Sequence, residues 1–155
     1  MAVTAEDLRG AMQQVVRRFG ALSTDRTPCG QPLPLVVAHA LMILAARGEA
    51  THAELGTELG VDKSNVARAC ARIVRAGYAT QRVGADDRRR RYVALTERGR
   101  VVAREVERAS QQRFATLLGQ IPSARRREVV DALQLVATLL ARPRPAHRTR
   151  ERHAR

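Results

Sequence analysis

The side chains best placed to do chemistry in this 155-residue chain are arginines set in two short runs. One run is Lys63-Ser64-Asn65-Val66-Ala67-Arg68, with Arg72 one turn further on; the other is Asp87 followed by Arg88, Arg89, Arg90 and Arg91. A guanidinium is planar and permanently charged, and it donates two parallel hydrogen bonds to a phosphate or to the edge of guanine. Ser64 and Asn65 add short polar groups that can meet base edges. The chemistry on offer is therefore noncovalent recognition of a polyanion. Catalysis has no comparable support, because no Gly-rich phosphate loop, nucleophile elbow or paired-carboxylate constellation is present. The chain reads as a non-enzyme.

The composition points the same way. Lys and Arg number 28 against 15 Asp and Glu, a formal charge of +13, and Lys63 is the only lysine. Nucleic acid is the commonest partner for such an excess. Aromatic residues make up only 3% of the chain and Trp is absent, which disfavours membrane-surface helices with aromatic anchors and readers that stack single-stranded bases. The longest apolar run, Leu33 to Ala46, is broken by Pro34 and His39 and falls short of the roughly 20 residues needed to cross a bilayer. The start, with Glu6 and Asp7 close behind Met1, lacks the basic and apolar blocks of a secretion signal. Two cysteines are too few for a disulfide framework. The expectation is a cytoplasmic protein without membrane contact.

These residues need elements to position them. Leu8, Met12, Val15, Val16 and Phe19 follow helical spacing from Thr4 or Ala5 to Gly20. After a polar loop, Pro34 opens a second helix, Leu35 to Ala46, that is apolar nearly all round and so belongs in the core. Thr51 and Glu54 form a capping box over a short helix that Gly60 ends. A further helix, about Lys63 to Ala76, puts Val66, Ala69, Cys70, Ile73 and Val74 on one stripe and Ser64, Asn65, Arg68 and Arg72 away from it. Gly77 caps it.

Tyr78 to Val83 and Arg91 to Leu95 read as a hairpin with a charged tip. Thr96 starts a long helix to about Leu118, and a last helix carries Val129, Leu133, Val136, Leu139 and Leu140. The fold class is mainly α with a small β-hairpin: six helices in a single domain over 1–141, of which 33–95 form the binding lobe. The first 22 residues and 97–141 carry apolar stripes suited to a partner subunit. Residues 142–155 hold six arginines against one glutamate and read as a disordered basic tail.

Two helices joined by a tight turn and followed by a basic hairpin form a winged helix-turn-helix. Thr51-x-x-Glu54-Leu55, Asp62 to Arg68, Gly77-Tyr78, Arg82, and above all Asp87-Arg88-Arg89 running into Val93-Ala94-Leu95-Thr96-Glu97-Arg98-Gly99 resemble the MarR family of bacterial transcriptional regulators. The resemblance covers about Leu33 to Leu140. It implies a homodimer with interleaved first and last helices, double-stranded DNA with a pseudo-palindromic operator as partner, and a small-molecule or oxidant signal that releases it. It also implies that Ser64, Asn65 and Arg68 face bases or phosphates, that Lys63 and Arg72 flank them, and that Arg89 enters the minor groove with Asp87 holding it by an ion pair. Arg88, Arg90 and Arg91 are phosphate candidates or a solvated charge run.

The effector cavity implied by the resemblance would draw on the first, central and post-wing helices, with Met12, Arg17 and His39 as candidates. Cys29, in a loop, is a candidate redox residue, whereas Cys70 on the apolar stripe reads as a small core residue. No metal-ligand spacing is present, so neither metal nor cofactor is expected. Two rivals remain: an architectural DNA-binding protein without operator preference, and an interaction protein whose basic face is incidental. A thiol- or metal-responsive variant of the regulator is a third alternative.

Overall fold

The computed structural model describes residues 2–141; the predicted basic tail, 142–155, lies outside the described residues. Helix α1 spans Ala5–Phe19. It begins at Thr4, whose hydroxyl accepts the Asp7 amide at 3.2 Å while the Asp7 carboxylate accepts the Thr4 amide at 2.9 Å, so two amides with no partner inside the helix are satisfied together. Helix α2, Leu35–Arg47, is the central element: Val37, Ala38, Ala40, Leu41 and Leu44 are all buried.

Between α2 and α3 (His52–Leu59) lies a strand the periodicity did not announce, β1, Glu49–Thr51. Three residues are too few to show alternation, and Glu and Ala have little intrinsic strand preference; pairing with another strand makes this segment extended. The sheet has the order β1-β3-β2 and is antiparallel throughout, with β2 at Ala79–Val83 and β3 at Arg91–Leu95. Its centre is β3. Ala50, Ala79, Val93 and Leu95 face the core, and Glu49, Arg82 and Tyr92 share the other face through the registers Glu49↔Ala94 and Arg82↔Tyr92.

Helix α4, Lys63–Arg75, follows the turn at Gly60, which takes a left-handed φ of 66°. Val66, Ala69, Cys70 and Ile73 are buried against α2 and α3. Val74 departs from the expected stripe: it lies at the stripe's edge and is 36% exposed. The strand after α4 starts at Ala79, one residue later than the pattern suggests, because the Tyr78 amide still donates to the Ile73 carbonyl at 3.0 Å in the C-terminal cap of α4.

The described chain divides into two compact units after Phe114. Helix α5, Glu97–Gln120, runs through the division. In the second unit a single tight turn, Ser123–Arg125, leads into α6, Arg126–Leu140. Arg126 donates to the Ile121 carbonyl at 3.1 Å and Arg125 pairs with Glu128 through two hydrogen bonds. No residue of α6 is buried.

Candidate nucleic-acid interface

Asp62 organises the start of α4. Its carboxylate accepts the Asn65 amide at 2.8 Å and the Asn65 side-chain NH2 at 2.8 Å, and the Asn65 side-chain oxygen in turn accepts a hydrogen bond from Arg68 at 2.7 Å. The backbone hydrogen bond from Asn65 is the main reason the Asp62 carboxyl is held below its ordinary value. The capped N-terminus thus presents Lys63, Ser64 and Arg68 outward, with Arg72 one turn on; all four are exposed. Val66 and Cys70, on the opposite side, anchor the helix in the core.

The wing is the loop between β2 and β3. Asp87 does not hold Arg89 through the expected ion pair: its carboxylate accepts the backbone amide of Arg89 at 2.9 Å. A carboxylate two residues before an amide closes a local turn with its own backbone, and that geometry takes precedence over reaching the guanidinium. The loop is closed by Gly84 donating to the Arg90 carbonyl at 2.8 Å and Arg90 donating to the Asp87 carbonyl at 3.0 Å. Arg88, Arg89 and Arg91 are exposed and make no ion pair among the described residues. Arg90 is different, since its guanidinium lies 5.3 Å from the centre of the Tyr92 ring.

The first unit also contains a cavity of about 310 Å³, of the size a small molecule fills. Phe19, Leu35, Met42, Val106 and Phe114 form most of its wall, and Cys29, His39 and Arg113 add polar groups. The two phenylalanine rings are 5.8 Å apart and tilted. Arg113 donates to the Phe19 carbonyl at 3.2 Å and sits 5.3 Å over its ring. No carboxylate lines this space, and among the described residues no three His, Cys, Asp or Glu groups gather as a metal site would require.

Residues 31–90, from just before α2 through the wing, match the family model described as the MarR family. From α2 to the wing loop the chain is thus similar to the MarR family. No curated protein matches the chain. The MarR-type winged-helix fold extends beyond the matched segment. The crystal structure of RV1404 from Mycobacterium tuberculosis is 27% identical, with a TM-score of 0.65 over 89% of this chain and 95% of that one. The PcaV transcriptional regulator from Streptomyces coelicolor, solved in complex with its natural ligand, is 20% identical with a TM-score of 0.68 over 90% and 99%. FabT from Streptococcus pneumoniae, solved in complex with DNA, is 18% identical with a TM-score of 0.63 over 87% and 93%.

Within this MarR-type fold the sequence candidates separate. Lys63, Ser64, Asn65, Arg68 and Arg72 share α4, and Asp87 to Arg91 share the wing. His39 lines the cavity, but Met12 and Arg17 do not; they border a separate shallow hollow with Arg9, Gln13, Val16 and Leu22. Met12 lies two turns, about 10 Å, up α1 from Phe19. The cavity residues that spacing missed are Phe19, Arg113 and Phe114. One signal was available, since the chain has only two phenylalanines and both line this space.

The cysteines differ in kind. Burial pushes the Cys70 thiol up to about 11, which leaves about one thiolate in a thousand at pH 8. Cys29 is half-buried, with its sulfur 3.0 Å from the Thr27 hydroxyl. In the folded protein iodoacetamide should therefore alkylate Cys29 well before Cys70, with Cys70 labelled only after denaturation. Peptide mass mapping over time checks this, and equal labelling rates would contradict it.

Proposed function

We propose that this chain is a transcriptional regulator that binds double-stranded DNA sequence-specifically as a homodimer and, acting as a repressor, leaves its operator when a small molecule occupies the cavity. The carrying observation is the Asp62-capped start of α4, which presents Ser64 and Arg68 on an outward face while Val66 and Cys70 fix the opposite face in the core. Such a helix enters the major groove with its first turns at base edges, and a basic wing beside it reaches the adjacent backbone or minor groove. Lys63, Arg72, Arg88 and Arg91 supply phosphate contacts, which position the protein without specifying sequence.

The dimer reading rests on apolar faces that the single chain leaves open. Leu8 and Val15 on α1 are more than half exposed, as are Leu133, Leu135, Leu139 and Leu140 on α6, and a second copy is the simplest cover. Two α4 helices would then meet half-sites about 10 base pairs apart on a pseudo-palindromic operator. No described helix is long and apolar enough to cross a membrane, and we place the protein in the cytoplasm with its DNA. The ligand-bound PcaV structure and the DNA-bound FabT structure support the two halves of the reading by analogy.

Selection of bound fragments from the source genome tests it. A regulator should prefer one recovered operator over scrambled DNA by roughly 10³-fold or more at fixed salt, and a screen of small molecules on that complex should find one that releases it. By reciprocity that molecule binds more weakly to the DNA complex than to the free protein. Binding without a preferred site would instead identify an architectural protein. The position of Cys29 on the cavity wall favours one variant, a thiol-responsive regulator; operator binding unchanged by peroxide would eliminate it.

A further inference from the structure

Tyr92 sits at the centre of a set of contacts that recognition of DNA does not itself require. On β3 it pairs directly with Arg82 of β2, whose guanidinium lies 4.3 Å from the ring centre. Arg82 reaches across the sheet to Glu49 of β1 and holds its carboxylate through two hydrogen bonds, 2.7 and 3.0 Å long. The hydrogen bond to Glu49 is the largest cause of the raised Arg82 value. From the wing, Arg90 covers the same ring at 5.3 Å. The edge of the ring also borders Gly84, where a β-carbon would approach Tyr92 to 3.3 Å and the Asp87 carbonyl to 2.7 Å. One aromatic ring thereby joins all three strands to both ends of the wing loop.

We propose that Glu49, Arg82, Tyr92 and Arg90 form a brace that fixes the wing on the sheet, with Tyr92 as its positioning residue, and that Arg90 serves the brace rather than contacting phosphate. The inference rests on the DNA-binding reading for its purpose but not for its existence. A hairpin arm carrying several adjacent arginines is pushed apart by their mutual repulsion. Stacking Arg90 on the ring draws one of those charges back toward the sheet, where the ring face attracts it. Arg88 and Arg89 remain at the tip, free to meet the duplex. The sheet alone would not do this, because the β2·β3 pairing ends at Val83↔Arg91 and the hydrogen bonds of the loop beyond it, among Gly84, Asp87, Arg89 and Arg90, close the loop on itself rather than onto the sheet.

Amide hydrogen exchange on the full chain, without DNA, tests the brace. Tyr92→Leu should speed exchange at residues 84–90 by roughly 10-fold, the equivalent of about 1.4 kcal/mol of lost local stability. Tyr92→Phe, which keeps the ring face, should leave exchange unchanged. Protection of β3 residues 93–95 reports that the sheet is intact in both variants. Equal exchange in Tyr92→Leu and the native protein, or Tyr92→Phe exchanging as fast as Tyr92→Leu, would overturn the proposal.

A second measurement uses the recovered operator. Arg90→Ala and Tyr92→Leu should each weaken binding by roughly 10-fold, and the double variant scarcely more than either one, because both remove the same support. Fully additive losses would show that Arg90 contacts phosphate on its own account and would overturn its assignment to the brace. If the native protein prefers no operator, the functional reading fails while the exchange experiment still decides the brace.

Discussion

Gly99→Ala should lower the thermal midpoint of the full chain by roughly 10 °C, the equivalent of about 3 kcal/mol for a domain of this size. Gly99 lies in the first turn of α5 and is buried. A methyl group there would overlap the Tyr78 carbonyl, and the obstruction is backbone, which cannot rotate away as a long side chain would. That carbonyl is already fixed because it accepts the Thr96 amide at 3.0 Å. Thr96 ties the junction further: its hydroxyl donates to the Gly77 carbonyl at 2.8 Å and accepts the Gly99 amide at 3.1 Å. The methyl would separate α5 from the α4–β2 turn and loosen every one of these bonds. Thr96→Ala, which removes the cap but adds no bulk, should cost less, about 1 kcal/mol. Thermal denaturation followed by circular dichroism ranks the two, and a Gly99→Ala midpoint within 2 °C of the native value would contradict this account of the junction.

The same junction shows what a sequence discloses and what it conceals. Thr96 and Gly99 are visible at once as a spaced pair at the start of a long helix, but the reason for the glycine is a carbonyl more than twenty residues upstream, which no local pattern can reveal. Helices were legible because 3.6-residue spacing, capping residues and Gly60 and Gly77 all agree locally. Strand β1 was not, because its three residues become a strand only through pairing with β3. At the wing the residue types were readable and their contacts were not: Asp87 closes a backbone turn instead of pairing with a guanidinium, and Arg90 lies on Tyr92. In the cavity, Phe19 and Phe114 meet from helices at opposite ends of their unit, a juxtaposition that tertiary packing alone creates.

The larger functional effect should come from Arg68. Replacing it by Ala should weaken operator binding by roughly 10²-fold or more, since a bidentate base contact is worth about 1–3 kcal/mol and the proposed dimer would make it at two half-sites. Preference at one G·C pair in each half-site should disappear with it. Asn65→Ala should relax the same base pair, not a new one. The Asn65 amide is engaged at both ends, donating to Asp62 and accepting from Arg68, so its role in this arrangement is to aim the guanidinium. If Asn65 instead reads a base of its own on binding, the two variants will lose preference at different positions. Arg91→Ala provides the contrast, because loss of a phosphate contact weakens all sequences alike and reduces the salt dependence by about one counterion per subunit. Binding curves at several salt concentrations against a panel of single-base operator variants separate the three. An Arg68→Ala protein that keeps the native base preference would remove α4 from the reading position and with it the main support for an operator-specific regulator.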